Sequence, residues 1–155
     1  MYKVAIPSYK RANVLIKKTI ATLLNGKVDP SNIIIFVANT DEEELYKKAL
    51  PEKLKTKIKI VVGEKGIANQ RIFIRKYFKE GTYVVSLDDD IEAVMKSVKN
   101  EKLKKINNLD KFFKDAYKQL IKHKLFIWGI YPVANPFFMK NGPEISTDLR
   151  FLIGV

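Results

Sequence analysis

Three aspartates stand side by side at Asp88-Asp89-Asp90, directly after the apolar run Tyr83-Val84-Val85-Ser86-Leu87. Adjacent carboxylates repel one another. A divalent cation removes that repulsion and takes oxygen ligands, and a diphosphate can complete its coordination shell. In extended backbone Asp88 and Asp90 point to one side and Asp89 to the other, so Asp88 and Asp90 form the expected metal-facing pair. A solvated acidic turn, or an N-cap for a helix over 91–95, is the alternative for the same residues. Two further polar clusters also follow apolar runs: Pro7-Ser8-Tyr9-Lys10-Arg11, and Gly63-Glu64-Lys65-Gly66 with Asn69, Gln70 and Arg71. With a single histidine, His123, and no cysteine, neither a Ser-His-Asp triad nor a zinc site is expected. His123 reads as structural at a helix end.

These clusters need elements to carry them. Residues 3–6 read as a first strand, and Leu15, Ile16, Thr19, Ile20, Leu23 and Leu24 recur at helical spacing up to a stop at Gly26. Residues 32–38 form a β-branched and aromatic run of the kind buried on both faces of a parallel sheet. Thr40 is the expected N-cap of a helix over 41–50, with Glu43 completing a capping box. A third strand is expected over 58–62, a helix over 67–78 with Ile67, Ile74, Tyr77 and Phe78 partly inward, and a fourth strand over 83–87. Residues 96–105 read as an exposed loop or loosely held helix, and Leu109 to Ile121 as an amphipathic helix. Segments 126–131, with Trp128 as core, and 149–155 read as two last strands. Strands alternating with helices predict an α/β fold with a mainly parallel sheet flanked by helices. In such a sheet ligands bind beyond the carboxyl ends of the strands, where all three polar clusters fall.

The 155 residues suit one domain, and a hydrophobic content of 46% is enough for a core. The apolar end, Leu149 to Val155, points to a chain truncated at its C-terminus. No cysteine, no signal peptide and no apolar stretch near the roughly 20 residues of a membrane span lead to an expectation of a soluble, cytoplasmic protein. The formal net charge of +12, from 29 Lys plus Arg against 17 Asp plus Glu, favours a polyanionic partner. A lysine-rich composition that merely fills solvated faces explains the same charge.

Ile6-Pro7-Ser8-Tyr9-Lys10-Arg11 resembles the opening of GT-A fold glycosyltransferases, the family 2-like DxD enzymes. Tyr83 to Asp90 resembles their DxD strand, and Gly66-Ile67-Ala68-Asn69-Gln70-Arg71 the segment that precedes it. Tyr131-Pro132-Val133-Ala134-Asn135-Pro136-Phe137-Phe138 and Asp148-Leu149-Arg150-Phe151 resemble the TET-associated group linked to phage and viral DNA-base modification. The resemblance implies a nucleotide-sugar donor, a UDP-sugar by family likeness, and transfer to a hydroxymethylated pyrimidine in DNA, in a host cytoplasm if the source is a phage or virus. It implies that Asp88 contacts the ribose or sugar and that Asp90 ligates Mn²⁺ or Mg²⁺ bridging the diphosphate, with Asp89 contributing. Pro7, Tyr9 and Arg11 would lie against base and ribose, Tyr9 by stacking and Arg11 by hydrogen bonds. Lys65, Asn69 and Arg71 are candidate contacts to nucleotide or phosphate.

An inverting transferase needs a carboxylate to take the acceptor proton, and Glu144 and Asp148 are the late candidates. Two other readings compete. A nucleotidyltransferase also uses a metal, but its Gly-rich loop after strand one is missing. A non-catalytic basic nucleic-acid-binding domain would use residues 96–105 and leave the aspartates incidental.

Overall fold

The computed structural model describes residues 1–98 and 102–130. Strand β1 (Tyr2–Pro7) leads into a continuous helical stretch of α1 (Ala12–Leu15), a π-helical segment (Ile16–Ile20) and α2 (Ala21–Asn25). Then come β2 (Ile33–Val37), α3 (Thr40–Ala49), α4 (Glu52–Lys55), β3 (Lys59–Val62), α5 (Ile67–Tyr77) and β4 (Tyr83–Ser86). A two-stranded ribbon, β5 (Met95–Val98) and β6 (Lys102–Lys105), precedes α6 (Leu109–His123).

The main sheet has the order β3-β2-β1-β4, and every neighbouring pair is parallel. Its central strands are apolar at consecutive positions because both faces are covered. Tyr2, Val4, Ile6, Ile33, Ile35 and Val37 enter the larger core with Leu15, Leu23, Tyr46 and Phe113. Ala5, Ile34 and Phe36 face the other way, onto Phe73, Ile74, Tyr77 and Phe78 of the α5 region. Phe113 is completely buried beside Tyr2, with ring centroids 5.6 Å apart; burying such a side chain contributes about 1.5–3 kcal/mol.

Strand order places a switch point beside β1. The chain steps from β1 to β2 to β3 on one side and then returns to the opposite side of β1 as β4, so the loops after β1 and β4 diverge at a switch point. Register aligns them: Ala5 pairs with Ser86, and the Leu87 N–H continues the ladder to the Ala5 carbonyl at 3.1 Å.

Several local expectations change. Helix α3 is capped by Asn39, whose Oδ1 accepts from the Glu42 N–H at 2.9 Å, so Thr40 lies inside the helix and the Thr40/Glu43 capping box does not form. Ile67 is 59% exposed, and the residues around it, 64–69, are all exposed, so it does not turn inward. Residues 96–98 and 102–105 are strand, in the β5–β6 ribbon, instead of loop or loose helix, and 91–94 are not helical. Residues 126–130 form no strand; Trp128 packs from a coil against Phe112 and Phe113, at 5.6 and 6.4 Å. Residues 131 and 149–155, read as strand from sequence, lie outside the described residues. Gly26 is wanted for close approach and not for a left-handed cap: its φ is −80°, and a Cβ there would lie 2.6 Å from Leu109 Cγ.

Candidate active site

The four strand ends open into one crevice of about 460 Å³. Pro7, Ser8, Tyr9 and Arg11 line it from β1, Ala38 from β2, Glu64 to Ile67 and Gln70 from the β3–α5 connection, and Asp88, Asp89 and Asp90 from β4. Residues drawn from four distant stretches of sequence therefore meet in one place.

The aspartates do not alternate as an extended strand would make them. Strand β4 ends at Ser86, and Asp89 and Asp90 lie in a turn. Asp88 pairs with Arg71 at 3.0 Å, while Asp89 and Asp90 share the Arg11 guanidinium at 3.1 and 3.0 Å. Asp89 is the buried member, only 7% exposed, and also accepts from the Ser8 hydroxyl at 2.6 Å. Since Ser8 spends its proton on Asp89, the 2.6 Å contact between Ser8 and Tyr46 has the Tyr46 hydroxyl as donor. That same hydroxyl accepts from the Arg11 N–H at 3.0 Å. Burial pushes the Tyr46 pKa up, which keeps the required proton in place.

Other braces complete the frame. Lys10 adopts a left-handed φ of 55°, and its N–H donates to Glu42 at 2.8 Å, fixing the β1 loop on α3. Thr19, fully buried in the π-helical segment, donates to the Asp88 carbonyl at 2.8 Å and accepts from the Ile91 N–H at 2.9 Å. The π-helical turn thus delivers a hydroxyl to the two ends of the acidic turn, in keeping with the placement of such turns at functional sites. Gln70 bridges the Val37 carbonyl (3.0 Å) and the Glu64 N–H (2.8 Å). A Cβ on Gly63 would meet Gln70 Oε1 at 2.2 Å, so the bridge requires glycine there.

Electrostatically the turn is tense. Desolvation, with help from Asp90 and Asp89, raises the Asp88 pKa, while Arg71 and Arg11 oppose the shift. Hydrogen bonding to Asp90 and the charge of Asp89 hold the Arg11 guanidinium more firmly protonated than usual. Among the described residues no three acidic or histidine side chains converge into a metal cage. One or two carboxylates completed by substrate phosphates is nonetheless the usual way Mg²⁺ is held, and the hard oxygens of this turn fit that mode.

Of the residues singled out from sequence, Pro7, Tyr9, Arg11, Lys65, Asp88, Asp89 and Asp90 line the crevice. Arg71 reaches its edge through Asp88. Asn69 is not in the lining; its side chain donates to the Lys65 carbonyl at 3.3 Å and stays exposed. Glu144 and Asp148 lie outside the described residues. Ser8 and Gln70 belong to the polar clusters but were given no role of their own, and Tyr46, Glu42 and Thr19 were not singled out for the site; nothing in their local spacing marks them, since their partners are up to 81 positions away.

The architecture is therefore α/β of Rossmann-like, GT-A type: a parallel four-stranded sheet flanked by helices, with an acidic turn at its switch point. A family model, TET-Associated Glycosyltransferase, matches residues 2–130, and the chain belongs to that family of glycosyl-transferring enzymes. No curated protein and no solved structure gives a significant match. Among the described residues no helix is long and apolar enough to cross a membrane.

Proposed function

We propose that the protein transfers a sugar from a nucleotide-diphosphate donor, a UDP-sugar, to a hydroxymethylated pyrimidine in DNA, with Mn²⁺ or Mg²⁺ at the acidic turn. The observation that carries this reading is the mixed lining of one crevice: Asp88 and Asp90 beside Arg11 and Lys65. A diphosphate needs both signs, carboxylates to hold a cation against it and cations to meet its remaining oxygens.

Asp88 and Asp90 are the residues that would hold the metal, which when bound supplies positive charge to the leaving diphosphate. Arg11 and Arg71 neutralise the turn through exposed pairs that are cheap to exchange. As a donor enters, the Arg11–Asp90 contact is exchanged for one to a phosphate oxygen. Asp89, hydrogen-bonded to Ser8 and paired with Arg11, holds the turn and the β1 loop in register. Tyr9, 41% exposed at the mouth, offers its ring to the base. Glu144 or Asp148 would take the acceptor proton.

The test is calorimetric titration of UDP and other nucleoside diphosphates with Mn²⁺, with EDTA, and into Asp88→Ala/Asp90→Ala. Metal-dependent binding lost in the double variant is expected. A folded protein that binds no nucleotide would sink the reading and favour a nucleic-acid-binding domain.

A further inference from the structure

We propose that the β5–β6 ribbon is a docking surface for the phosphate backbone of double-stranded nucleic acid. Its use in catalysis rests on the acceptor reading above; its affinity does not. The register sets Lys96 directly opposite Lys104 and Val98 opposite Lys102. Side chains alternate across a pleat, so Lys96, Lys102 and Lys104 share one face and all three are exposed. Met95 and Leu103 take the other face and are half-buried.

Like charges directly opposite each other weaken a two-stranded ribbon. No described carboxylate comes within ion-pair distance of these lysines, whereas Lys111, Lys114 and Lys118 on α6 are all paired with Asp110 or Asp115. Among the described residues the ribbon's lysines thus have no anionic partner, and the face they form is complementary to an external polyanion. Opposed side chains sit about 4.5–5.5 Å apart, and Lys102 and Lys104 lie roughly 6.8 Å apart along the strand. Two steps of one DNA strand advance about the same 6.8 Å along the axis, and the major groove admits a two-stranded ribbon. A membrane surface fits less well, because interfacial binding needs large apolar side chains beside the cations, and none of the exposed large hydrophobic side chains lies in the ribbon.

Placement links the ribbon to the crevice. Its base is closed by the Ile106 N–H donating to the Val94 carbonyl at 2.9 Å, and Ile91 to Val94 are all that separate it from Asp90. Thr22 holds the Glu92 carbonyl at 2.8 Å, tying this connection to α2. A duplex seated on the ribbon lies beside the acidic turn.

The experiment is fluorescence anisotropy of an unmodified duplex of about 20 base pairs against salt, for the wild type, Lys96→Gln/Lys102→Gln/Lys104→Gln, and the α6 control Lys114→Gln/Lys118→Gln/Lys122→Gln. The ribbon variant removes a like-charge clash, so it keeps the fold, which circular dichroism verifies. It is expected to bind at least tenfold more weakly at low salt and to lower the slope of log K against log salt by about 2–3, the loss of three phosphate contacts. A ribbon variant that loses no more affinity than the control overturns the proposal. So does ribbon-dependent binding confined to phosphatidylserine vesicles. Sugar transfer to hydroxymethylated duplex is scored separately: transfer with ribbon-independent duplex binding sinks the ribbon alone, while ribbon-dependent binding without transfer supports the ribbon and sinks the acceptor reading.

Discussion

The acidic turn and the basic ribbon are neighbours in sequence and opposites in construction. At the turn, Asp88, Asp89 and Asp90 are each met by a guanidinium, and the backbone is held by Thr19 on both sides. At the ribbon, Lys96 faces Lys104 with no described carboxylate near either. Charge compensated inside the fold can be preorganised, because the attraction that holds it is present before any ligand arrives. Charge that no described group compensates is suited to a partner outside the molecule. This contrast gives the +12 of the chain a local meaning that composition alone could not supply.

The largest expected effect separates the outer from the inner carboxylates. Asp90→Ala should reduce sugar transfer on the order of a thousandfold, while shifting stability by no more than about 0.5 kcal/mol. Its side chain is 45% exposed and among the described residues bonds only Arg11, so little folding energy depends on it. Asp89→Ala should show the reverse emphasis in urea denaturation, losing about 1–3 kcal/mol, because the buried Ser8 hydroxyl is left without its acceptor. Equal stability losses in the two variants would remove the distinction between a braced residue and a working one.

Salt should act unequally on the two regions. If three phosphates are engaged, raising salt from about 50 to about 200 mM weakens duplex binding by roughly 40-fold. The urea midpoint should move little over the same range, since exposed pairs such as Arg11–Asp90 and Arg71–Asp88 contribute little to stability. A duplex affinity indifferent to salt would remove the ribbon's side of the contrast.

Tyr46→Phe should cost about 1–2 kcal/mol and weaken nucleotide binding while leaving duplex affinity unchanged. The lost hydroxyl joins Ser8 to the Arg11 backbone and nothing in the ribbon. Parallel titrations of nucleotide and duplex read this out.

The smallest effect at ordinary pH comes from the core tyrosines. Burial pushes Tyr83 from 10.0 up to about 12. A folded-state pKa above the unfolded one means that the unfolded chain loses its proton first. That contribution is complete below pH 10 and is lost as pH rises through 10 to 12. Urea midpoints across this window should fall more steeply in the wild type than in Tyr83→Phe.

Much of the frame was legible locally. Ile33 to Val37 reads as a strand covered on both faces because apolar side chains occupy every position, and Leu109 to Ile121 reads as a helix because its apolar residues keep helical spacing. Those signals depend only on neighbours in sequence. The Lys96–Lys105 segment misled for the same reason: its strands are short, lysine-rich and weakly patterned, and they exist because they pair with each other. Thr40 failed as a cap although its type was right, since Asn39 one residue earlier offers an equally good acceptor.

By itself the sequence determined the alternation of strands and helices, the membership of the family and the presence of an acidic turn after an apolar strand, because each is written in contiguous residues. Only the tertiary structure decided which aspartate is buried, that Arg11 rather than a strand pleat governs two of the three, and that Tyr46 and Thr19 brace the turn from distant helices. Those choices depend on where the strand ends and on which side chains fold back across the sheet. Hydrogen bonds between residues dozens of positions apart leave no periodic trace in the chain.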